Sequence, residues 1–252
     1  MKFIGIIPAR YASSRFPGKP LADLGGKPMI QRVYERVSGV LDDVAVATDD
    51  NRIAAAVEAF GGRVVMTSAE HRSGTDRVRE AADILATDAD VVINIQGDEP
   101  FIAQSQIEAL KACFDTDGVD IASLARQFDP ALGFDALFDP NLVKVVMGDK
   151  GNALYFSRSI IPYVRSTDWQ HWLEKQTFYT HVGIYAYRRE VLRAIASLPQ
   201  SPLELAESLE QLRWLSAGYT IRMAVTDEPT IGIDTPADLE AAVEYLKQHP
   251  QE

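Results

Sequence analysis

The chain has 252 residues, 46% of them hydrophobic, and its 25 Lys and Arg against 36 Asp and Glu give a formal net charge of -11. This acidity disfavours binding to the phosphates of nucleic acid or of an anionic membrane, so we expect neither as a partner. Cys113 is the single cysteine, which excludes an intrachain disulfide, and we expect a buried thiol. No apolar run suits a membrane span or a signal peptide, so we expect a soluble, cytoplasmic protein.

The first half of the chain alternates between short β-branched runs and amphipathic stretches. Strands are predicted at residues 2–8, 44–47, 63–66 and 91–95, with helices from about residue 28, from residue 51 with Asn51 as the cap, and within residues 75–85. This alternation predicts an α/β fold with a doubly wound, mostly parallel sheet. Ligands of such sheets bind beyond the carboxyl ends of the strands, where this sequence carries its distinctive polar segments.

Beyond about residue 118 the pattern changes. Strands are predicted at residues 119–126, 142–147, 153–156 and 182–188 without regular helices between them, which indicates a smaller, antiparallel or mixed β extension. Leu205, Leu209 and Leu212 recur at helical spacing and predict a helix with a buried leucine stripe. A strand is predicted at residues 220–225, and Thr235 before Pro236 predicts the capped start of a last helix.

The loop after the first strand concentrates positive charge in an acidic protein. Arg10, Arg15 and Lys19 lie within ten residues, together with Ser13 and Ser14. Guanidinium, ammonium and backbone N–H groups are the donors that hold a triphosphate. The segment is neither a Walker A loop nor a dinucleotide fingerprint, because the required glycines and the final hydroxyl are missing. A solvated basic surface loop is the alternative interpretation.

Several segments together resemble one family over essentially the whole chain. They are ARYASSRFPGKPL at residues 9–21, ATDD at 47–50, HRSGTDR at 71–77, NIQGDEP at 94–100, YFSR at 155–158, HVGIY at 181–185, PLE at 202–204, EQL at 210–212 and GIDTP at 232–236. In this order they resemble the sugar nucleotidyltransferases, and in detail the cytidylyltransferases of 3-deoxy-manno-octulosonate (Kdo). The resemblance implies the reaction CTP + Kdo → CMP-Kdo + pyrophosphate, which activates Kdo for lipopolysaccharide biosynthesis, and a homodimer.

The resemblance also implies how the chain is organised. It implies one nucleotidyltransferase domain over residues 1–252. Within it, about 1–118 form the nucleotide-binding half, about 119–230 the sugar-binding and dimerisation extension, and 231–252 the metal-ligand turn and final helix.

Two aspartates are the candidate ligands of Mg²⁺, which prefers hard oxygen donors and takes one or two carboxylates together with substrate phosphates. Asp98 follows the most apolar strand, and Asp234 precedes the last helix, whose cap Thr235 already provides. Each carboxylate also suits an ordinary turn or capping role. The resemblance assigns both to the metal.

The remaining roles divide between the nucleotide and the sugar. The catalytic candidates are Lys19, Arg10, Arg15, Asp98 and Asp234. The nucleotide-binding candidates are Ala9, Arg10, Ser13, Ser14, Arg15, Lys19, Ser73, Gly74, Gln96 and Asp98. The sugar-binding candidates implied by the resemblance are Arg158, His181, Tyr185, Glu210 and Gln211. Alternation along the strand predicts that His181, Gly183, Tyr185 and Tyr187 share an accessible face while Val182, Ile184 and Ala186 face the core.

Other functions stay open at this point. The acceptor sugar is alternatively 8-amino-Kdo, sialic acid or a sugar 1-phosphate. A glycosyltransferase that consumes a nucleotide sugar is disfavoured because the D-x-D metal motif is absent from these segments. A nucleotide-binding protein without catalysis ranks lowest, since both acidic and all three basic candidates are present.

Overall fold

The computed structural model describes residues 1–12, 15–71 and 73–249. The strands are β1 Phe3–Ala9, β2 Asp43–Thr48, β3 Val64–Met66, β4 Val91–Asn94, β5 Ile121–Gln127, β6 Lys144–Met147, β7 Ala153–Ser157, β8 Tyr179–Arg188 and β9 Ile221–Val225. The helices are α1 Met29–Ser38, α2 Asn51–Ala59, α3 Gly74–Ile84, α4 Gln104–Ala112, α5 Gly133–Leu137, α6 Trp172–Lys175, α7 Arg189–Ala196, α8 Pro202–Glu207, α9 Gln211–Ser216 and α10 Pro236–Gln248. In the described part of the chain, none of these helices is long and apolar enough to span a membrane.

The chain folds into two compact units. Unit 1 comprises Met1–Glu108, Ala186–Ala196 and Pro229–Glu252, and unit 2 comprises Ala109–Tyr185 and Ser197–Glu228. The chain therefore crosses from one unit to the other several times, within α4 and β8 among other places. The assignment of nucleotide and sugar binding to separate segments stays a prediction.

Unit 1 contains the predicted parallel sheet. Its strands follow the order β3-β2-β1-β4, and every pairing in that run is parallel. β1 and β4 are buried on both faces because helices cover them, which explains why they read as continuous apolar runs. Met29, Ile30, Val33 and Val37 form the buried face of α1, as the helical period predicts.

Unit 2 confirms a mixed extension. β5 pairs with β9 in parallel, whereas β6 runs antiparallel to both β7 and β8. Cys113 is buried at the end of α4, and burial raises the pKa of its thiol. An aromatic group forms a separate core in this unit, built from Phe128, Trp172 and Phe178 together with Leu137.

Three local predictions are wrong. The cap of α2 is Asp50, not Asn51, because the Asp50 carboxylate accepts the backbone N–H of Arg52. The predicted leucine helix is two short helices, α8 and α9, separated by Ser208 in a left-handed conformation. Leu205 is consequently 62% exposed, whereas Leu209 and Leu212 are buried.

The third error concerns β8, whose predicted open face is closed at its two tyrosines. Tyr185 and Tyr187 are buried along with the aliphatic residues of the opposite face, and Gly183 is exposed. The Tyr185 ring packs edge-on against Trp214 at a centroid distance of 5.1 Å. Alternation along one strand does not reveal that a helix covers its second face.

The start of α10 confirms its prediction. Thr235 accepts the N–H of Asp238 through its hydroxyl, and Asp238 accepts the N–H of Thr235 in return, which forms a capping box. These hydrogen bonds hold the pKa of Asp238 below its usual range, the largest cause being the backbone N–H of Asp234. Because Thr235 and Asp238 satisfy the helix end, the Asp234 carboxylate is left to make other contacts.

Candidate active site

The loop that leaves β1 is closed at its base by a backbone hydrogen bond. The N–H of Gly18 donates to the carbonyl of Tyr11 at 2.9 Å, and Gly18 has a φ of 73°. A residue with a side chain is strained in this conformation, so glycine suits the turn. Lys19 follows at once and begins a short 3₁₀ turn, Lys19–Leu21. The closure places the basic residues on either side of it at the carboxyl end of the parallel sheet.

Lys19 joins the two predicted metal-binding aspartates. Its Nζ lies 2.7 Å from Oδ2 of Asp98 and 3.2 Å from Oδ1 of Asp234, and its side chain is only 15% exposed. The segments that carry the aspartates are also tied by their backbones, since the N–H of Ile233 donates to the carbonyl of Asp98 at 2.9 Å. Two residues far apart in sequence therefore face each other across one ammonium group.

Arg15 adds a second cation to this group. Its NH1 lies 3.0 Å from Oδ2 of Asp234, and both side chains are well exposed. Such a pair is screened by water and salt and holds Arg15 only weakly, so this guanidinium is available to an anionic ligand.

A polar cavity of about 360 Å³ opens at this group. It is lined by Pro8, Ala9, Arg10, Ala12, Arg15, Lys19, Pro20, Gln96, Gly97 and Asp98. The structure thus brings Ala9, Arg10, Arg15, Lys19, Gln96 and Asp98 together as the sequence predicts. Ser13 and Ser14, also predicted to bind the nucleotide, lie outside the described residues.

Glu99, the neighbour of Asp98, differs from it electrostatically. Burial, and next the charge of Asp98, raise the pKa of Glu99 to about 7. The carboxylate of Asp98 is the one that contacts Lys19, so it is the better placed of the two to meet a cation.

The segment after β3 has a stronger structural role than its sequence predicts. Ser73 caps α3 by accepting the N–H of Asp76, and a Cβ built on Gly74 would lie within 4 Å of Pro8 and Asn94. The nucleotide contacts predicted for Ser73 and Gly74 stay predictions.

Arg77 is the residue that sequence reasoning missed in this segment. It is fully buried, its NH1 donates to Oγ1 of Thr67 at 2.6 Å, and its NH2 lies 3.2 Å from Oδ2 of Asp49. This arginine therefore links the ends of β2 and β3. A charge inside an otherwise regular amphipathic helix was the available signal, because a buried arginine requires partners.

In unit 2, His181 is held by Ser123. Its Nε2 lies 3.0 Å from the Ser123 hydroxyl, and that hydroxyl donates to the carbonyl of Ile184 at 2.8 Å. Since the hydroxyl proton is used there, the hydroxyl accepts from Nε2–H, and Nδ1 is left as an acceptor. Burial lowers the pKa of His181 to about 4, so the ring is neutral at pH 7.

The aromatic neighbours of His181 explain this burial. The His181 ring lies 5.1 Å from Phe156 and 5.3 Å from Tyr185 between centroids. His181 and Tyr185 are thus neighbours, as a shared sugar site requires, and both are embedded in aromatic packing.

The Arg158 side chain donates hydrogen bonds to backbone carbonyls of its own unit. Its guanidinium donates to the carbonyls of Glu207, Pro140 and Ser208 at 2.6, 2.8 and 3.4 Å. The Glu207 carboxylate in turn accepts the N–H of Arg158 and the hydroxyl of Ser157. These contacts give Arg158 a structural role, and the predicted pairing with a sugar carboxylate is untested.

The last two sugar candidates begin α9. Oε1 of Glu210 accepts from NH2 of Arg213 at 2.8 Å, and Nε of Arg213 lies 3.1 Å from the buried Glu204. Gln211 is 5% exposed. Glu210 is the more accessible of the pair.

A divalent cation fits the pair of aspartates in unit 1. The Lys19 ammonium already stands as a positive charge between Asp98 and Asp234, and carboxylate oxygens are the donors that Mg²⁺ prefers. No group of three or more His, Cys, Asp or Glu suited to a metal occurs in the described ranges. Two carboxylates are what an ion shared with substrate phosphates requires.

Unit 2 also has a cavity of about 670 Å³, and five of its eleven lining residues are aromatic. Phe138, Tyr163 and Trp169 on its rim are 59%, 75% and 48% exposed. Arg158 forms part of the wall, whereas His181, Tyr185 and Glu210 do not line this cavity.

Comparisons with known proteins agree with one another. The model of a family described as cytidylyltransferase matches residues 4–221. The chain is 62% identical to a 3-deoxy-manno-octulosonate cytidylyltransferase of Phocaeicola vulgatus over 252 residues, covering 100% of both chains. It is also 62% identical to one of Bacteroides thetaiotaomicron over 247 residues, covering 98% of this chain and 99% of the relative.

Solved structures agree as well. A CMP:2-keto-3-deoxy-manno-octonic acid synthetase complexed with CTP matches with a TM-score of 0.90 and 46% identity over 99% of this chain and 100% of that one. A putative glucose-1-phosphate thymidylyltransferase from Bacillus anthracis shares the fold at a TM-score of 0.66 and 17% identity, covering 96% of this chain and 94% of that one.

Proposed function

The chain belongs to the cytidylyltransferase family, and we propose that it transfers CMP from CTP to Kdo with release of pyrophosphate. The observation that carries this proposal is full-length identity of 62% to relatives that are named for that reaction. The basic loop and paired aspartates of unit 1 support it, because they provide the charges that a nucleoside triphosphate and its metal require.

The reaction is a displacement at phosphorus. The anomeric hydroxyl oxygen of Kdo forms a bond to the α-phosphorus of CTP and its proton passes to solvent, while the bond from the α-phosphorus to the bridging oxygen breaks and pyrophosphate leaves. Such a displacement needs positioning and neutralisation of charge more than covalent help from the protein. In this proposal Lys19, Arg10 and Arg15 bind the phosphate oxygens, where their positive charges stabilise the charge that develops on the leaving group.

Asp98 and Asp234 are proposed to hold Mg²⁺. Bound there, the ion supplies Lewis-acid polarisation of a phosphate oxygen. The ammonium of Lys19 now contacts both carboxylates, and it would become available to the phosphates if Asp98 and Asp234 held a cation instead. This exchange makes Lys19 a link between metal binding and nucleotide binding.

His181, Tyr185, Glu210 and Gln211 are proposed to bind the sugar. Support comes from the acceptor Nδ1 of His181, which suits a donating sugar hydroxyl, and from the carboxylate of Glu210 at the start of α9. Arg158 is retained with them as the proposed partner of the sugar carboxylate. Its three carbonyl contacts require that it exchange at least one of them.

Homodimerisation through the second half of the chain is the further proposal. The exposed rings of Phe138, Tyr163 and Trp169 around the cavity of unit 2 support it, since large exposed apolar patches mark interaction surfaces. Analytical sedimentation tests this dimerisation. We expect a dimer for the native chain and a monomer for the variant Phe138→Glu. A native monomer at micromolar concentration would contradict it. The cytoplasmic location stays a prediction.

The reaction is tested by measuring pyrophosphate released from CTP and Mg²⁺ with Kdo, 8-amino-Kdo, sialic acid and glucose 1-phosphate supplied separately. We expect release with Kdo. Release only with a different acceptor would keep the phosphate chemistry and overturn the sugar assignment. Absence of pyrophosphate release with all four acceptors would overturn the proposed reaction.

A further inference from the structure

Tyr11 lies at the base of the phosphate-binding loop, with its ring packed between two other residues. The guanidinium carbon of Arg52 stands 3.3 Å from the centroid of the Tyr11 ring. A Cβ built on Gly18 would lie 3.1 Å from atoms of the same ring. Tyr11 also accepts the N–H of Gly18 that closes the loop. The ring therefore touches a helix and the far end of its own loop.

Arg52 is itself held in place by Asp50. Its Nε and NH2 donate to the two carboxylate oxygens of Asp50 at 2.9 and 2.6 Å, and Asp50 also caps α2. The hydrogen bonds from Arg52 lower the pKa of Asp50 to about 2. The carboxylate neutralises the guanidinium, so Arg52 acts on Tyr11 by its position more than by a net charge at the site.

Gly18 completes the arrangement from the other side. Its φ of 73° and the closeness of the Tyr11 ring both select glycine at this position. Any side chain there would push against the ring and open the closure. Arg10 precedes Tyr11 and Lys19 follows Gly18, so the closure fixes how far apart these two phosphate-binding candidates stand.

We propose that Asp50, Arg52 and Tyr11 are positioning residues that hold the base of the phosphate-binding loop closed and so set Arg10 and Lys19 for the triphosphate of CTP. This inference rests on the proposed function. It assigns no contact with substrate to the three residues. It explains why a helix cap, a cation–π contact and a glycine in the left-handed conformation converge on one loop, each of which alone is an ordinary structural feature.

The kinetic test compares variants that keep or remove one contact each. Tyr11→Ala is expected to raise the KM for CTP about tenfold, whereas Tyr11→Phe keeps the ring and the native KM. Arg52→Gln is expected to raise the KM for CTP about threefold. Asp50→Ser is expected to have the same effect, because serine is a good helix cap but cannot form the ion pair with Arg52. The KM for Kdo stays native in all of them.

Arg63→Gln is the matched control. Arg63 is an exposed arginine of the same unit that pairs with Asp43. This variant is expected to leave both KM values unchanged. The double variant Tyr11→Ala with Arg52→Gln is expected to match Tyr11→Ala alone, because the two residues act through one contact. Additive effects, or a Tyr11→Phe variant as impaired as Tyr11→Ala, would overturn the proposal.

Limited trypsin digestion tests the same idea without turnover. The bond after Arg15 lies in the loop, and we expect Tyr11→Ala and Arg52→Gln to be cut there several times faster than the native chain and Arg63→Gln. Equal rates would overturn the proposal. If the native chain releases no pyrophosphate with any acceptor, the proposed function fails, and this digestion still decides whether the closure exists.

Discussion

The two groups of polar residues differ in how their charges are satisfied. In unit 1, Lys19, Asp98 and Asp234 pair with one another at the edge of a polar cavity, and Arg15 is exposed. In unit 2, Arg158 donates to backbone carbonyls and the half-buried His181 pairs with Ser123. The first group has partners that a ligand can replace, whereas the second is built into the packing of its unit.

This difference predicts how substitutions in each group affect activity and stability. Removing Asp98 or Arg15 from unit 1 should cost activity and little stability, because Lys19 keeps Asp234 as a partner in the first case and the Arg15 pair is exposed in the second. Removing a polar residue from unit 2 should cost stability first, because it removes several hydrogen bonds that hold neighbouring segments together. The following variants break or sharpen that contrast.

The largest effect is expected for Asp98→Ala, which removes a proposed metal ligand. We expect kcat to fall by about 10³-fold, equivalent to about 4 kcal/mol of transition-state stabilisation, with a nearly native melting temperature. Pyrophosphate release at saturating Mg²⁺ measures it, and Asp117→Ala, an exposed aspartate in a turn, is the control. Near-native turnover of Asp98→Ala would show that Asp98 is not a required metal ligand.

Arg158→Ala is expected to lower the free energy of unfolding by about 3 kcal/mol, because the carbonyls of Pro140, Glu207 and Ser208 lose a charged donor. Urea unfolding of the native and variant chains measures this loss. A sugar-binding role predicts a raised KM for Kdo as well. Native stability with a raised KM would show that the carbonyl contacts are dispensable and would reverse the contrast between the units.

The third prediction concerns pH. The pKa of His181 is about 4 in the folded chain, against an ordinary value of 6.5. Between these two values His181 is protonated in the unfolded chain and neutral in the folded chain. Stability from this residue is therefore lost as pH falls, by about 2 kcal/mol between pH 7.5 and pH 5.

His181→Gln should lack this contribution, so the difference in unfolding free energy between native chain and variant should shrink by about 2 kcal/mol on acidification. The raised pKa of Glu99 acts in the opposite direction but is common to both proteins and cancels in the difference. A difference independent of pH would mean that His181 is not buried as a neutral ring.

Arg15→Ala is expected to have the smallest effect. Because its pair with Asp234 is exposed, stability should change by less than about 0.5 kcal/mol. The KM for CTP should rise about fivefold at low salt, and less at high salt where the charge is screened. A salt-independent effect would argue against direct attraction of the triphosphate.

The same contrast separates what the sequence predicted from what it did not. In unit 1, apolar runs in the sequence predicted the strands. Ligands of parallel sheets bind beyond the carboxyl ends of the strands, and this rule predicted that the loops carrying Lys19 and Asp98 lie at the same edge. The resemblance added Asp234. Arg77 and Tyr11 were missed because their roles depend on partners distant in sequence, Asp49 and Thr67 for one and Arg52 for the other.

Unit 2 was harder to predict for a physical reason. Alternation along β8 predicted an open face for Tyr185, but it could not show that Trp214 packs against that side chain. The break between α8 and α9 depends on the left-handed conformation of Ser208, which leucine spacing does not indicate. Side chains such as Arg158 gained partners from loops that carry no periodic signal.

The most direct test of the account is the binding of Mn²⁺, as a paramagnetic substitute for Mg²⁺, measured by electron paramagnetic resonance in the presence of CTP. We expect protein-bound Mn²⁺ with the native chain and with Asp117→Ala, and its loss in both Asp98→Ala and Asp234→Ala. Undiminished Mn²⁺ binding in both variants would contradict the assignment of these two aspartates to the metal.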